Sequence, residues 1–490
     1  MAIKRYFLSK DNTITNAYKS NLITRGTGSN MGASDILETF VIQGQTSASL
    51  NASTAEQSRV LLQFDMQEVL SDITNGTVPS SSVEYRLKLF NAPHGDTTPL
   101  SYSLDLHMVN GAWTEGRGLD MDSYSDFGES NWEYSRAGAA WNSTGSDYYA
   151  GDGFITSSFL TGGLEDYDVN IDFAVNKWRT GEYQNHGLVL KHTDPVISGT
   201  LGTFYTKKFF GRNSEFYLKR PYVEARWNSS RQDNRGAPII SSSLADASDN
   251  LNKLFLYNSI RGQMKDIPGL EHGSQYVLVN FYSASAGAPA GSPLLVVNSA
   301  GATVTNITGG LLVENGTNIT GVYSCSFAST SSFDTICDVW YSGSSQFFTG
   351  SFDPAQLSAG ELTHEEEYIT SVTNMQSTYF KTSKPTLRTF VRRKNWDPNI
   401  FTVATSDIKP EIIDKSYYRM YRTIDNMEVF PYGTGSSQET LMSYDVSGNY
   451  FDLDMNMLEP GYSYALKFVY YVNGKYKEQP EIFKFKVEEE

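Results

Sequence analysis

Short runs in which apolar and polar residues alternate, each closed by Gly, Asn or Asp, recur along the chain and leave little room for anything but β-structure. Glu84–Asn91 sets Tyr85, Leu87 and Leu89 on one face and Arg86 and Lys88 on the other. Ser101–Val109 repeats the pattern with Tyr102, Leu104, Leu106 and Met108, and Tyr167–Phe173 with Val169, Ile171 and Phe173. Gln275–Ser283 alternates Val277, Val279 and Phe281 against Tyr276, Leu278 and Tyr282, and Ser416–Thr423 sets Tyr417, Arg419 and Tyr421 against Tyr418, Met420 and Arg422. A period of two marks half-buried strands. The 31 Tyr, 27 Phe and 40 Gly suit pleated surfaces and the turns between them.

At 490 residues the chain is long enough for two to four domains. Residues 1–230 read as one sandwich of jelly-roll type. Its strands include Lys4–Ser9, Leu37–Gln43, the apolar Arg59–Asp65, Gly187–Lys191, Lys207–Arg212 and Tyr222–Trp227, with a helical turn at Met66–Asp72. Residues 231–252 have linker composition, rich in Ser, Ala, Asp and Asn. Residues 253–358 hold about seven short strands, as an immunoglobulin-like sandwich would. Residues 359–490 form a third sandwich, its final run Pro480–Glu488 tied into the sheet.

The formal net charge of −16 argues against a nucleic-acid partner, whose phosphates need Lys and Arg clusters. No apolar run reaches the length of a membrane span. The N-terminal Met-Ala-Ile-Lys-Arg-Tyr-Phe-Leu reads as a first strand rather than a signal peptide, so synthesis in a cytoplasm is expected. Cys325 and Cys337 are spaced for a hairpin disulfide or for two free thiols on adjacent strands.

One stretch departs from this regularity. From Trp113 to Trp141 the chain is a long loop of Gly, Ser, Asp and Asn carrying Trp113, Trp132 and Trp141. Long structureless insertions are uncommon in compact domains and are usually functional or held down by their own side chains. Tyr124, Phe127, Trp132 and Tyr134 are candidates to stack on a sugar or to bury in a neighbouring subunit. Asp120, Asp122, Asp126 and Glu129 supply hard oxygen ligands at the close spacing Ca²⁺ needs, without the Gly and terminal Glu of an EF-hand; the other reading is a solvated acidic loop tip. Glu115 and Glu129 are the one carboxylate pair here that invites a glycosidase reading.

Phosphate-loop, nucleophile-elbow and zinc-protease motifs do not occur, and no catalytic residue, resident metal or cofactor is expected. His94, His107 and His186 could approach one another in the first sandwich. Arg388, Arg392, Arg393 and Lys394 form the one dense basic cluster. They read first as a solvated strand face, the alternative being a pairing with an acidic surface such as Glu365–Glu367 or the Glu488–Glu490 tail of another copy.

Several segments resemble known families. Arg59-Val-Leu-Leu-Gln-Phe-Asp, Val83-Glu-Tyr-Arg-Leu-Lys-Leu-Phe, Trp113-Thr-Glu with Trp141, and Val175-x-x-Trp178-x-x-Gly181 followed by Asn185-x-Gly187 resemble, in order, the motifs of DNRLRE-type β-sandwich domains. That resemblance covers most of residues 1–230. It implies a fold and a binding or structural role, with Trp113 and Trp141 anchoring the ends of a loop longer than is usual there. Leu458-x-Pro460-x-x-x-Tyr464-x-Leu466 resembles the fibronectin type III segment whose tyrosine bonds upstream backbone. Phe390-Val-Arg-Arg-Lys-Asn-Trp-Asp-Pro398, Tyr417-Tyr-Arg-Met-Tyr-Arg, Phe430-Pro-Tyr-Gly-Thr-Gly and Ser443-Tyr-Asp-Val-Ser-Gly-Asn-Tyr-Phe-Asp-Leu-Asp resemble structural proteins of aquatic contractile-tailed bacteriophages over roughly residues 250–490.

The expectation is an all-β chain: a jelly-roll-like β-sandwich followed by two immunoglobulin- or fibronectin-III-like β-sandwiches. Its expected role is that of a non-enzymatic virion protein at the neck, collar, tail or baseplate. It would contact other virion proteins and copies of itself, with no nucleic acid or membrane bound. The alternatives are a capsid decoration or fibre protein binding host glycans, and a bacterial surface carbohydrate-binding module.

Overall fold

The structure is a computed structural model that describes residues 2–43, 55–96, 98–99, 101–121, 128–151, 153–160, 163–198, 204–239, 246–270, 276–329, 333–354, 367–394 and 410–490. The chain is all-β, built of sandwich-like sheets. It divides into two compact units, one of Ile3–Val78 with Ser82–Arg226, the other essentially Trp227–Glu490.

The N-terminal unit carries β1 (Ile3–Thr15), β2 (Ile36–Ile42), β3 (Glu56–Phe64), β4 (Glu84–Leu89), β5 (Tyr102–Met108), β6 (Tyr134–Arg136), β7 (Ala139–Ala140), β8 (Phe154–Phe159), β9 (Tyr167–Asn170), β10 (Leu188–His192), β11 (Phe204–Phe210) and β12 (Tyr222–Arg226). The order is β8-β5-β10-β3-β1-β12-β4-β9, with β2 pairing β3 and β11. β1 serves both halves of this arrangement. Its first residues pair with β12 (Ile3↔Arg226 to Phe7↔Tyr222), and after a register shift between Leu8 and Lys10 it pairs with β3. A bulge of this kind lets one strand turn from one layer to the next. The expected Lys4–Ser9 strand is therefore only the first half of a longer one.

β3 alternates poorly in sequence because both of its faces are covered. Val60, Leu62 and Phe64 point into the core between the layers, and Leu61 on the opposite face is equally buried. Leu61 packs with Ile14, Val109 and Val189 beneath Trp113, Trp132 and Trp141.

Helix α1 (Met66–Thr74) starts where Asp65 accepts the amide of Gln67 at 2.8 Å, an N-cap that satisfies a helix-end donor. Helix α2 (Asp172–Thr180) replaces the second half of the strand expected over Tyr167–Phe173. Asn170 accepts the Asp172 amide at 2.8 Å and Asp172 accepts that of Tyr85 at 2.7 Å, turning the chain. Ala174, Val175 and Trp178 then fall on one buried helical face, and Gly181 closes the helix at φ 74°.

In the C-terminal unit, seven strands of the segment 252–352 form one antiparallel sheet in the order Asn252–Tyr257, Thr317–Phe327, Asn306–Glu314, Tyr276–Ser285, Ile336–Ser342 and Ser345–Phe352, with Ala288–Ala290 beside Tyr276–Ser285. Their apolar faces meet Ile267, Leu270 and Val296 in one core. Cys325 and Cys337 are free and buried. They are not on adjacent strands, since Asn306–Glu314 and Tyr276–Ser285 stand between theirs.

The last sandwich pairs Tyr368–Val372, Thr386–Arg393, Gly448–Asp452 and Ser443–Asp445 in one sheet. The other sheet runs Thr378–Phe380, Phe483–Glu488, Ser463–Val472, Ser416–Arg422 and Glu428–Phe430. The C-terminal strand Phe483–Glu488 bonds to neighbours on both sides, antiparallel to Ser463–Val472 and parallel to Thr378–Phe380. Tyr464 is fully buried; its hydroxyl donates to the Glu459 carbonyl at 2.7 Å and accepts the Glu459 amide at 2.9 Å, the tyrosine corner its motif implied.

Candidate interaction site

The tryptophan loop is bolted onto the sheet rather than projecting from it. Trp113 and Trp141 are 2% and 6% exposed, and Trp132, expected at the surface, is 5% exposed. Each indole N–H that anchors an end finds a carbonyl: Trp113 donates to His186 at 2.8 Å and Trp141 to Asn131 at 2.9 Å. The Trp132 amide donates to Thr27 at 3.0 Å and its carbonyl accepts the Gly145 amide at 2.7 Å. Gly145, at φ +85°, has no room for a side chain: a Cβ would lie 2.7 Å from the Trp132 ring. Arg59 of β3 lies over the same ring, 5.0 Å from its centroid, and donates to the Gly145 carbonyl at 2.7 Å. Trp132 is thus a core residue of the loop and does not offer a stacking face for sugar or subunit.

The Gly-Arg-Gly after Glu115 has a steric cause. A Cβ on Gly116 would meet the Asn30 carboxamide at 1.9 Å, and one on Gly118 the Asn30 carbonyl at 1.9 Å. The Asn30-Met31-Gly32 turn and this segment interlock backbone to backbone, and Gly118 donates to Asn30 Oδ1 at 2.9 Å. Beside them one arm of Arg212, its Nη2, donates to both Glu115 carboxylate oxygens at 2.8 Å, and Glu115 accepts the Asp11 amide at 2.9 Å. Those bonds give Glu115 a structural task in place of paired-carboxylate chemistry. Asp11 is 1% exposed and accepts the Arg212 amide at 2.6 Å. Burial pushes its carboxyl up to about 6, against the opposing pull of Arg212 and with the help of the Glu115 charge.

Of the other loop candidates, Tyr134 is 43% exposed. Asp120 is exposed and Glu129 half-buried. Tyr124, Phe127, Asp122 and Asp126 lie outside the described residues. Among the described residues no three metal-ligating side chains converge. The histidines do different work. His107 stacks between Tyr148 and Phe154 at 4.6 and 4.8 Å, His186 lends its carbonyl to Trp113, and His94 faces Asp96 at 3.4 Å.

The basic cluster finds acidic partners within its own chain, and one of them, Glu367, lies in the acidic stretch the sequence pointed to. Arg388 holds Asp445 at 3.0 and 2.7 Å and lies over Tyr450, Arg393 reaches Glu411 at 3.0 Å, and Lys394 reaches Glu367 at 2.6 Å. Arg392 is half-buried on the same strand.

Sequence reasoning passed over two features of the C-terminal unit. One is the segment Arg231–Ile239, read as linker. Arg231 grips Glu314 with two bonds of 2.7 Å while its amide donates to Ser443. Asp233 and Asn234 bond to Tyr444, and Asn234 also exchanges bonds with Lys253. Arg235 inserts its guanidinium between Asp338 (2.7 Å) and Asp233 (2.8 Å) and donates to the Phe255 carbonyl at 2.6 Å. Asp338, fully buried, also accepts the Trp340 indole at 2.6 Å. The segment covers the edge strand Asn252–Tyr257 on one side and Ser443–Asp445 on the other.

The other feature is the opposite edge of the same sheet. Among the described residues Ser345–Phe352 pairs only with Ile336–Ser342, and Phe347 and Phe348 are 38% and 37% exposed. Between Asp338 and Asp353 the sequence has no charged residue. The register slips by one residue at Phe347, which leaves Phe348–Phe352 as the regular stretch. An edge strand presents unpaired backbone groups to any further strand, and natural edges are usually blunted by charge, proline or a bulge. This one has only the bulge.

No protein-family profile matches the chain, and no curated protein matches it. Among solved structures it is similar, over 91% of its length, to 23% of trypsin-activated alpha-2-macroglobulin from Escherichia coli, at 6% identity and a TM-score of 0.16. The chain thus corresponds to under a quarter of that protein, and a likeness at this level carries no argument.

Proposed function

We propose that this chain is a non-enzymatic structural protein of a tailed-phage particle, a neck, collar, tail or baseplate component that assembles through protein–protein contacts. The observation that carries the assembly reading is the uncharged edge Ser345–Phe352. In a chain of net charge −16, long-range repulsion opposes contact between copies. The strand has no charged residue of its own, keeps Phe347 and Phe348 part-exposed, the latter with Arg235 5.3 Å from its ring centroid, and offers backbone donors and acceptors. Strand addition there supplies main-chain bonds, and the phenylalanines supply apolar area. The phage origin rests on the sequence resemblance over residues 250–490.

The test has two arms. Wild-type protein is expected to form higher-order species in size-exclusion chromatography and electron microscopy, and Thr349→Lys, which puts a charge at an exposed position of the edge, is expected to abolish them. Mass spectrometry of purified particles is expected to find the chain at a fixed copy number. A wild-type protein that stays monomeric at high concentration and is absent from every particle overturns the reading.

A further inference from the structure

Lys207 on β11 is fully buried, yet no carboxylate oxygen lies among its hydrogen-bond acceptors. Its Nζ donates to Asn91 Oδ1 at 2.6 Å, to the Gly163 carbonyl at 2.7 Å and to the Glu165 carbonyl at 2.6 Å. The rings of Phe159 and Phe209 close over it, 4.9 and 5.2 Å from Nζ to their centroids. A buried ammonium is ordinarily paired with a counter-charge. This one has neutral oxygens as its hydrogen-bond acceptors, and its burial raises the cost of the charge.

We infer that Lys207 and Asn91 form an intramolecular isopeptide bond, Nζ to Cγ, that cross-links β11 to the end of β4. The geometry supplies what such a bond needs. Asn91 Oδ1 is in direct contact with Nζ, and Cγ lies one carbonyl bond, about 1.23 Å, beyond it. Reacting atoms held at about 3–3.5 Å are in near-attack position. The backbone fixes both partners: Asn91 bridges Phe209, two residues from Lys207, and Ala92 donates to the Lys208 carbonyl at 2.9 Å. A carboxylate stands at the same place, since Asp166 Oδ1 accepts the Asn91 amide at 2.8 Å.

The step balances without a co-reactant. The Lys207 ammonium first yields its extra proton to the Asp166 carboxylate and from there to solvent, leaving an amine whose lone pair can turn to the carboxamide carbon. The lone pair attacks Cγ, the Cγ–Nδ2 bond breaks, and Nδ2 leaves as ammonia. The proton it gains is the one the amine gives up, carried by the Asp166 carboxylate. The product is one secondary amide, and nothing is oxidised or reduced. Burial also brings the Lys207 ammonium down to about 8, with Glu165 and Asp166 opposing, so about a tenth is free amine at pH 7.

Intact-mass spectrometry of the wild-type full chain decides the matter. The expected mass is below the sequence mass by one ammonia, and digestion is expected to yield a branched peptide joining the Asn91 and Lys207 segments, with no cleavage after Lys207. The branched peptide separates the cross-link from a succinimide, which loses the same ammonia within one segment. Lys207→Ala and Asn91→Ala are each expected to restore the unmodified mass. Asp166→Asn removes no bonding atom and is expected to accumulate the unlinked form. Wild-type protein at its full sequence mass, with Lys207 open to trypsin after denaturation, overturns the inference whether or not any variant folds.

Discussion

The guanidinium of Arg59 lies 5.0 Å from the centroid of the Trp132 ring while donating to the Gly145 carbonyl on the far side of that ring's pocket. One side chain of the sheet thereby fixes both the ring that anchors the loop and the backbone that wraps it. Trp132→Ala removes a buried indole and is expected to cost about 3–5 kcal/mol. Arg59→Met keeps the stem and loses the bond and the charge, for about 1–3 kcal/mol. Hydrogen exchange is the sharper readout. The amides of Trp132 and Gly145, bonded to Thr27 and Trp132, are expected to lose protection in both variants while those of β4 keep theirs. Unchanged protection in Trp132→Ala would mean that the loop is held elsewhere.

Asp11 gives the N-terminal unit a pH dependence of definite sign. Its carboxyl titrates at about 6 in the folded chain and near 3.9 unfolded. Between those values the folded state holds the extra proton, so stability falls as pH rises from about 4 to about 6, by roughly 3 kcal/mol for this group alone. Asp11→Asn still presents an oxygen to the Arg212 amide and needs no charge buried. It is expected to be more stable than wild type at pH 7, the difference closing toward pH 4. Urea midpoints of the two proteins across that range check the sign.

Arg235 stands between two carboxylates, and its removal is expected to be costly in a way that no surface ion pair is. Arg235→Leu leaves Asp338 fully buried and Asp233 nearly so, each without its cation. Breaking a buried pair from one side costs about 3–5 kcal/mol. The surface pair Lys394–Glu367 offers the contrast: Lys394→Ala is expected to change the thermal midpoint little, since an exposed pair is solvated and screened in either state. Differential scanning of both variants tests the ranking. Equal effects would show that the segment Arg231–Ile239 carries no such weight.

How far these sites were legible follows from the range of the contacts that make them. Period-two alternation is local, so the strand read over Glu84–Asn91 is found at Glu84–Leu89, its inward side chains buried in alternation. Trp113 and Trp141 were readable as anchors only through the resemblance of their segments to DNRLRE-type motifs. Trp132 was misplaced because nothing nearby in sequence reveals that Arg59 and Gly145 enclose it. The linker reading of residues 231–239 failed for a similar reason. Its polar side chains are those of an exposed segment, and their partners, Glu314, Asp338 and Tyr444, are remote in the chain. Lys207 and Asn91, 116 residues apart, carry no local mark at all.

The tyrosine corner permits the most exacting test of the last sandwich. The Tyr464 hydroxyl is the one atom that bonds both backbone groups of Glu459, just before the chain enters Ser463–Val472. Tyr464→Phe keeps the ring in its pocket, where Phe485 lies 6.1 Å away, and deletes only that atom. An amide and a carbonyl then lose their partner at a turn half-shielded from water. The expected cost is about 1–3 kcal/mol. Tyr471→Phe, on the same strand but 36% exposed and at the surface, serves as the control and is expected to fall within about 0.5 kcal/mol of wild type. If the two variants melt together, the corner bond does not hold this strand.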